Sequence, residues 1–208
     1  MGLVALGQGV PFFLAGDDLL RSKDMDQNSF DSGDWFNKID WSGTGDNWGI
    51  GLPIASQNQG QWPLMQPLLA NASLKPTPGE VNYTTRAFQD LLNIRYSSGL
   101  FRMKTFAEVQ QNLTFLNSGQ NQTPGVIAIL LRANGGNYGP YRKILVVFNG
   151  TTTSTSISNP SLEGAHFQLH PVQRGSTDAA TRQSTFQPSS GTATVPALTI
   201  AVFVSEQN

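Results

Sequence analysis

The hydrophobic pattern changes its period along the chain, and each change marks a different kind of element. Gly2 to Gly9 reads as the end of a helix that closes at Gly7 or Gly9. Val10 to Ala15 is a short, unbroken apolar run. Such runs suit a strand buried on both faces, as in a parallel sheet. Pro11 stands near its start, where a proline is tolerated. No second run of this kind follows in the first half of the chain. A lone strand of parallel type cannot bury itself, so this end of the fold reads as open.

Asp17 to Gln61 reads mostly as loop, with Trp35, Trp41 and Trp48 set between glycines. A loop of this length inside a compact domain is more often functional than idle. Short helical turns are expected at Asp18 to Ser22 and at Pro63 to Ala70. Thr77-Pro78-Gly79-Glu80 then gives an N-cap, a proline at the first helical position and a capping-box Glu. Phe88, Leu91, Leu92 and Arg95 follow at i, i+3, i+4 and i+7, and Ser98-Gly99 stops the helix. The pattern predicts a helix over 78–97. Thr105 to Glu108 starts a second, short one.

From Asn112 the period falls to two. Apolar runs at Leu113–Asn117, Gly125–Ala133, Arg142–Asn149, Thr153–Ser158, His166–Leu169, Thr192–Val195 and Leu198–Ser205 alternate with turn clusters. Short strands at this spacing predict an antiparallel sandwich. The fold class is therefore α+β: a strand–loop–helix piece over 1–98, followed by an all-β antiparallel sandwich over 99–208.

Composition narrows the functions. The net charge is −1, with no basic block, which argues against nucleic acid or an anionic membrane as partner. No apolar run approaches the roughly 20 residues that span a bilayer. With no cysteine, disulfides, thiolate metal sites and cysteine nucleophiles are excluded. The compartment, secreted or cytoplasmic, is left open. Asn-x-Ser/Thr triplets at Asn71, Asn82, Asn112, Asn121 and Asn149 read as chance matches in a chain rich in these residues.

Asp24-x-Asp26-x-Asn28 imitates the start of an EF-hand loop, but the sixth position is Ser29 and the twelfth is Trp35. No cofactor is expected. A looser calcium site stays open beside the plainer reading of these carboxylates as turn and cap formers. His166 and His170, four apart on an expected strand, would face one side about 13 Å apart, too far to share a metal. Asp17, Asp18, Asp31 and Asp34 offer carboxylates, with holding the loop through backbone amides and Arg21 as their plainer role. Trp35, Phe36, Trp41, Trp48 and Trp62 either stack on sugar rings or close the loop over a core.

The blocks GVPFFLAGDDLLRSK, SFDSGDWFNKIDW, NWGIGLP and QWPLMQPLLA together resemble the C-terminal part of pullulanase-type debranching enzymes, which belong to the α-amylase superfamily. The likeness continues through PGEVNYTTRAFQDLLNIRYSSGLFRM and more loosely into the β-rich tail. It implies that Val10–Ala15 is the last strand of a (β/α)8 barrel, Gly16 to Ala70 the loop after it, and 78–97 the last helix. It implies hydrolysis of α-1,6-glucosidic branches of starch, glycogen or pullulan. The family's catalytic carboxylates would precede Met1, so this chain alone would be inactive. Asp17, Asp18, Arg21, Asp34, Trp35 and Asn37 would then rim or support the glucan cleft. Leu14 stands where the family often has His, and Gln27 where it usually has Arg. The alternative is a non-catalytic glucan-binding or structural module. The expected partner is an α-glucan met through the parent enzyme, with self-association through the open strand edge.

Overall fold

The computed structural model describes residues 1–206. It divides into two compact units, Met1–Phe12 with Gln89–Asn208, and Phe13–Phe88.

The first unit is a sandwich. Its strands in chain order are β1 (Leu113–Phe115), β2 (Val126–Arg132), β3 (Tyr141–Asn149), β4 (Thr155–Ser158), β5 (Gln168–Leu169), β6 (Thr185–Gln187), β7 (Thr192–Val195) and β8 (Thr199–Glu206). One sheet has the order β1-β2-β3-β8-β5 and the other β4-β7-β6, and every pairing is antiparallel. Alternate residues point inward, as the pleat requires. Val126, Ala128 and Leu130 of β2 meet Leu145 and Val147 of β3, Ala201 and Phe203 of β8, and Ala193 and Val195 of β7 in one core. Ile144, Val146 and Val202 lie on the other face and are equally buried. This explains why β3 and β8 read as continuous apolar runs. Helix α1 (Gly2–Leu6) covers part of that second face. Gly2 is required there, because a Cβ would fall 2.0 Å from Cδ1 of Ile200.

Strand β5 stops early, and side chains take over its pairing. The amide of the buried Gln173 donates to the Ile200 carbonyl at 2.8 Å and accepts from the Val202 N–H at 2.7 Å. The His170 N–H adds a bond to the Val202 carbonyl at 2.8 Å. The open edge of β8 is thus satisfied without a strand, as buried backbone groups demand.

The two histidines do not share a strand face as expected. His166 precedes β5 and is exposed, whereas His170 is 2% exposed. His170 Nδ1 accepts the Val172 N–H at 3.2 Å and so caps the short helical turn after it, Pro171–Arg174. Nε2 therefore carries the proton and donates to Ser97 Oγ at 3.0 Å, while that hydroxyl donates to the Ile94 carbonyl at 2.7 Å. Burial, helped by the nearby charge of Arg174, pushes the His170 pKa down to about 4.

The helix predicted over 78–97 forms as Pro78–Ser97, with its first half in the second unit and its end in the first. Its capping box closes as read: Glu80 Oε2 accepts the Thr77 N–H at 2.7 Å, and Thr77 Oγ1 accepts the Glu80 N–H at 3.3 Å. The short helix Phe106–Asn112 carries the second box, Thr105 with Glu108. At the far end of the long helix the buried Arg95 donates to the carbonyls of Ala5, Gly7 and Gly9 at 2.9, 2.7 and 2.5 Å.

One expected element is absent among the described residues: no strand forms over 10–15. The segment's alternate side chains are exposed, Val10 by 81%, Phe12 by 84% and Leu14 by 59%. A strand of parallel type needs neighbours for its N–H and C=O groups, and among the described residues the eight strands pair only with one another.

The second unit is mostly irregular. It holds short helices at Asp34–Asn37, Ala55–Asn58 and Trp62–Leu69. Phe36, Met65 and Val81 are buried, and Phe13 meets Phe88 edge-to-face at 4.9 Å.

Candidate functional site

The loop that carries the candidate residues begins at a backbone turn only glycine makes easily. Gly16 has φ of 96°, and a Cβ there would stand 2.9 Å from Cβ of Arg21. The turn Asp17–Leu19 follows, and the Arg21 N–H returns to the Gly16 carbonyl at 3.0 Å. Arg21 thereby lies across Gly16 and donates from Nη1 to the Asn37 carbonyl at 3.2 Å. Its Nε is buried without a partner.

Asn37 ties the loop together. Its Nδ2 donates to the Ser29 carbonyl at 2.6 Å, and its Oδ1 accepts from Lys23 Nζ at 2.7 Å. Lys23 also donates to Ser29 Oγ at 2.7 Å. Desolvation and the charge of Arg21 lower the Lys23 pKa, against the opposing pull of Asp26.

Two carboxylates hold the loop from beneath. Asp24 is fully buried. Its Oδ1 accepts the Gly49 N–H at 2.8 Å, and its Oδ2 the Gly51 N–H at 3.2 Å. Asp26 accepts the Asn28 N–H at 3.1 Å, Asn58 Nδ2 at 2.9 Å and the Ser32 hydroxyl. Burial pushes the Asp26 pKa up, but the bonds from Ser32, Asn28 and Asn58 outweigh it and leave the group below its ordinary value. The turn-and-cap reading of the Asp24-x-Asp26-x-Asn28 motif therefore describes what these groups do.

The same cannot be said of Asp17, Asp18, Asp31 and Asp34. Among the described residues none of the four gives its carboxylate to Arg21, whose guanidinium goes to the Asn37 carbonyl instead. Arg21 turns away because Gly16 lets it lie flat along the backbone. Asp17 and Asp34 are exposed and Asp18 is half-buried, and Asp18 is anchored only through its carbonyl, which accepts Thr85 Oγ1 at 2.9 Å.

The aromatics separate into two groups. Phe36 is buried, Trp62 donates Nε1 to the Pro53 carbonyl at 2.9 Å, and the half-buried Trp48 turns its Nε1 inward without a partner. Trp35 and Trp41 face solvent, 56% and 72% exposed. Trp35 packs edge-to-face on Phe36 at 5.4 Å, and its ring rests on Gly51, where a Cβ would stand 3.1 Å from Cη2. An exposed indole on a fixed support is a ready surface for a flat apolar ligand face.

The six candidate residues therefore divide by role. Asp17, Asp34 and Trp35 are exposed to solvent, while Arg21 and Asn37 fix the loop's shape. Asp18 stands between the two groups. Residues missed from the sequence are Lys23 and Asn58. The buried Asn58 links two turns, accepting the Gln27 N–H at 3.3 Å while donating to Asp26. No spacing marks it.

Residues 43–206 match the family of alpha-1,6-glucosidases, pullulanase-type, C-terminal. The chain belongs to this family. Pullulanase 1, chloroplastic, from Arabidopsis thaliana is 42% identical to this pullulanase-type chain over 215 residues, covering 99% of the chain and 22% of that protein. Pullulanase from Klebsiella pneumoniae is 28% identical over 208 residues, covering 97% of the chain and 19% of that protein. Among solved structures, the maltotriose complex of PulA from Klebsiella pneumoniae matches all of the chain and 22% of its own, with a TM-score of 0.88 at 29% identity. The pullulanase-type chain thus spans about a fifth of the length of the curated relatives it matches. The family match starts at Gly43, so the Asp17–Asn37 stretch lies before it and is matched through the relatives instead.

Proposed function

We propose that this chain is the C-terminal part of a glycoside hydrolase that cleaves α-1,6-glucosidic branches in starch, glycogen or pullulan, and that the loop from Asp17 to Asn37 forms one wall of its glucan cleft. In this reading 1–98 is the C-terminal segment of a (β/α)8 barrel, with Val10–Ala15 as its last strand, and 99–208 is a C-terminal sandwich. Asp17, Asp18 and Asp34 offer acceptors to sugar hydroxyls, Trp35 a stacking face, and Arg21 and Asn37 hold them in place. Cleavage itself needs two opposed carboxylates at a defined separation, and these are assigned to the rest of the parent enzyme.

The observation that carries the reading is Trp35: an exposed ring on a loop whose polar groups are bonded beneath it, in a family described as α-1,6-glucosidases. Titration of the chain with maltotriose, followed by tryptophan fluorescence, tests it. A saturable response that Trp35→Ala abolishes is the expected result. No response at millimolar sugar would leave a structural role for the loop and overturn the binding claim. In a parallel assay with pullulan, reducing ends should stay at the blank. Turnover by the chain alone would overturn the assignment of the catalytic carboxylates elsewhere.

A further inference from the structure

The sandwich has a cleft of about 620 Å³, well inside the first unit, which the glucan reading does not use. It exists because β5 is only two residues long. Gln168 pairs with Val204, but the chain before Gln168 leaves β8 and does not follow Ser205 and Glu206. The gap between them is the cleft.

Its charge comes from an irregularity in β3. Neighbouring residues on a strand point to opposite faces. Here the register shifts between Tyr141 and Lys143, so that Tyr141 opposes Glu206 and Lys143 opposes Ser205. Arg142 is the extra residue of this bulge. A bulge re-aims side chains, and Arg142 and Lys143 both line the cleft. Arg174 enters from the end of the turn Pro171–Arg174, with Nη1 3.4 Å from Gln168 Oε1, and His166 lies on the same wall. Glu206 is the only carboxylate among the described lining residues. Among the described residues neither Arg142 nor Lys143 gives its side chain a hydrogen bond or ion pair. Three permanent cations therefore face one carboxylate, in a chain whose net charge is −1.

We propose that this cleft binds a phosphate monoester, with Arg142, Lys143 and Arg174 around the phosphoryl oxygens and Gln168 beside them. Guanidinium forks match phosphate oxygens in pairs, and a lysine adds a point charge. Known small-ligand sites run from roughly 300 to 1,000 Å³, so the cleft has room for a hexose beside the phosphoryl group. No tryptophan lines it, which sets it apart from the loop around Trp35 and favours an anion over a neutral glucan.

The test is calorimetric titration of the 208-residue chain at low salt with inorganic phosphate, glucose 6-phosphate and maltotriose. The doubly substituted Arg142→Gln/Arg174→Gln chain is titrated in parallel. Both arginines are exposed, so the variant should keep the melting temperature of the parent. Saturable binding of a phosphate compound, weakened tenfold or more in the variant and by added salt, is expected. Tighter binding of glucose 6-phosphate than of inorganic phosphate supports a sugar phosphate as ligand, whereas equal binding overturns the monoester and leaves a site for the free oxyanion alone. Maltotriose should not compete, so failure here and failure at Trp35 are read separately. Absence of saturation with both phosphates, or binding equal in parent and variant, overturns the proposal.

Discussion

Arg95 Nη1 stands 2.7 Å from the carbonyl oxygen of Gly7, across 88 positions of sequence. With the bonds to Ala5 and Gly9, one guanidinium fixes the course of the chain's first residues. Arg95→Met leaves those carbonyls without their charged donor in a buried place. It should lower unfolding free energy by about 3 kcal/mol, read as a lower urea midpoint with an unchanged slope. Arg95→Lys should recover only part of it, since an ammonium lacks the planar fork.

His170 makes stability fall with acid before the carboxylates titrate. Its folded pKa is about 4, below the unfolded value of about 6.5. Between these values the unfolded chain binds a proton that the folded chain refuses, so stability drops as pH falls through this window. The loss is complete near pH 4 and amounts to about 3 kcal/mol. Asp26 and Glu108 have lowered values and lose their contributions at lower pH still. Urea midpoints at pH 7, 5.5 and 4.5 should show the slope, and His170→Asn should flatten it.

Asp24 holds two backbone amides that belong to a distant part of the same loop. Asp24→Ala orphans both and should cost about 2–4 kcal/mol. Hydrogen exchange at Gly49 and Gly51 should speed up first. The maltotriose response should weaken with it, although Asp24 is too deeply buried to meet a sugar.

Asn149 ends β3 with Nδ2 donating to the carbonyls of Thr153, Val195 and Pro196, while Oδ1 accepts the Thr151 N–H at 3.0 Å. Asn149→Asp replaces that donor by an acceptor and sets a charge against three carbonyls. A loss of about 3 kcal/mol is expected, measured as a lower melting temperature. The same burial means that the Asn149 triplet cannot carry a glycan without unfolding this turn.

Val10, Phe12 and Leu14 are exposed apolar side chains on a segment that joins no described strand. Such edges recruit a second chain. The isolated chain should therefore self-associate with rising concentration in sedimentation experiments, and Phe12→Glu should keep it monomeric. A monomer at high concentration without that substitution would contradict this.

Local signals were legible in the residues wherever one element carried its own chemistry. Thr77 and Glu80 announce the long helix, and Thr192 to Val195 its strand, because caps and alternation act over a few residues. Strand β6 escaped notice, since Thr185–Gln187 is short and its burial is set by Phe167 and Phe203, far away in sequence. The run from Val10 read as a strand because apolar sequence records a need for neighbours, and it cannot say whether they are present. In the loop, the SGDWFN block marks the stretch where an exposed Trp35 stands beside the buried Phe36. The division between exposed Asp34 and load-carrying Asn37 depended on Lys23 and Ser29, whose roles only three-dimensional proximity reveals.

The place of β8 in its sheet has a consequence for biosynthesis. It lies between β3 and β5, and among the described residues β5 has no other neighbour in that sheet. A nascent chain therefore holds most of the sandwich ready, yet cannot close it until the residues through Glu206 have cleared the ribosome. A premature stop codon just before Thr199 would strip both strands of their partner at once, and the product should reach the proteolytic machinery rather than the pool of folded protein.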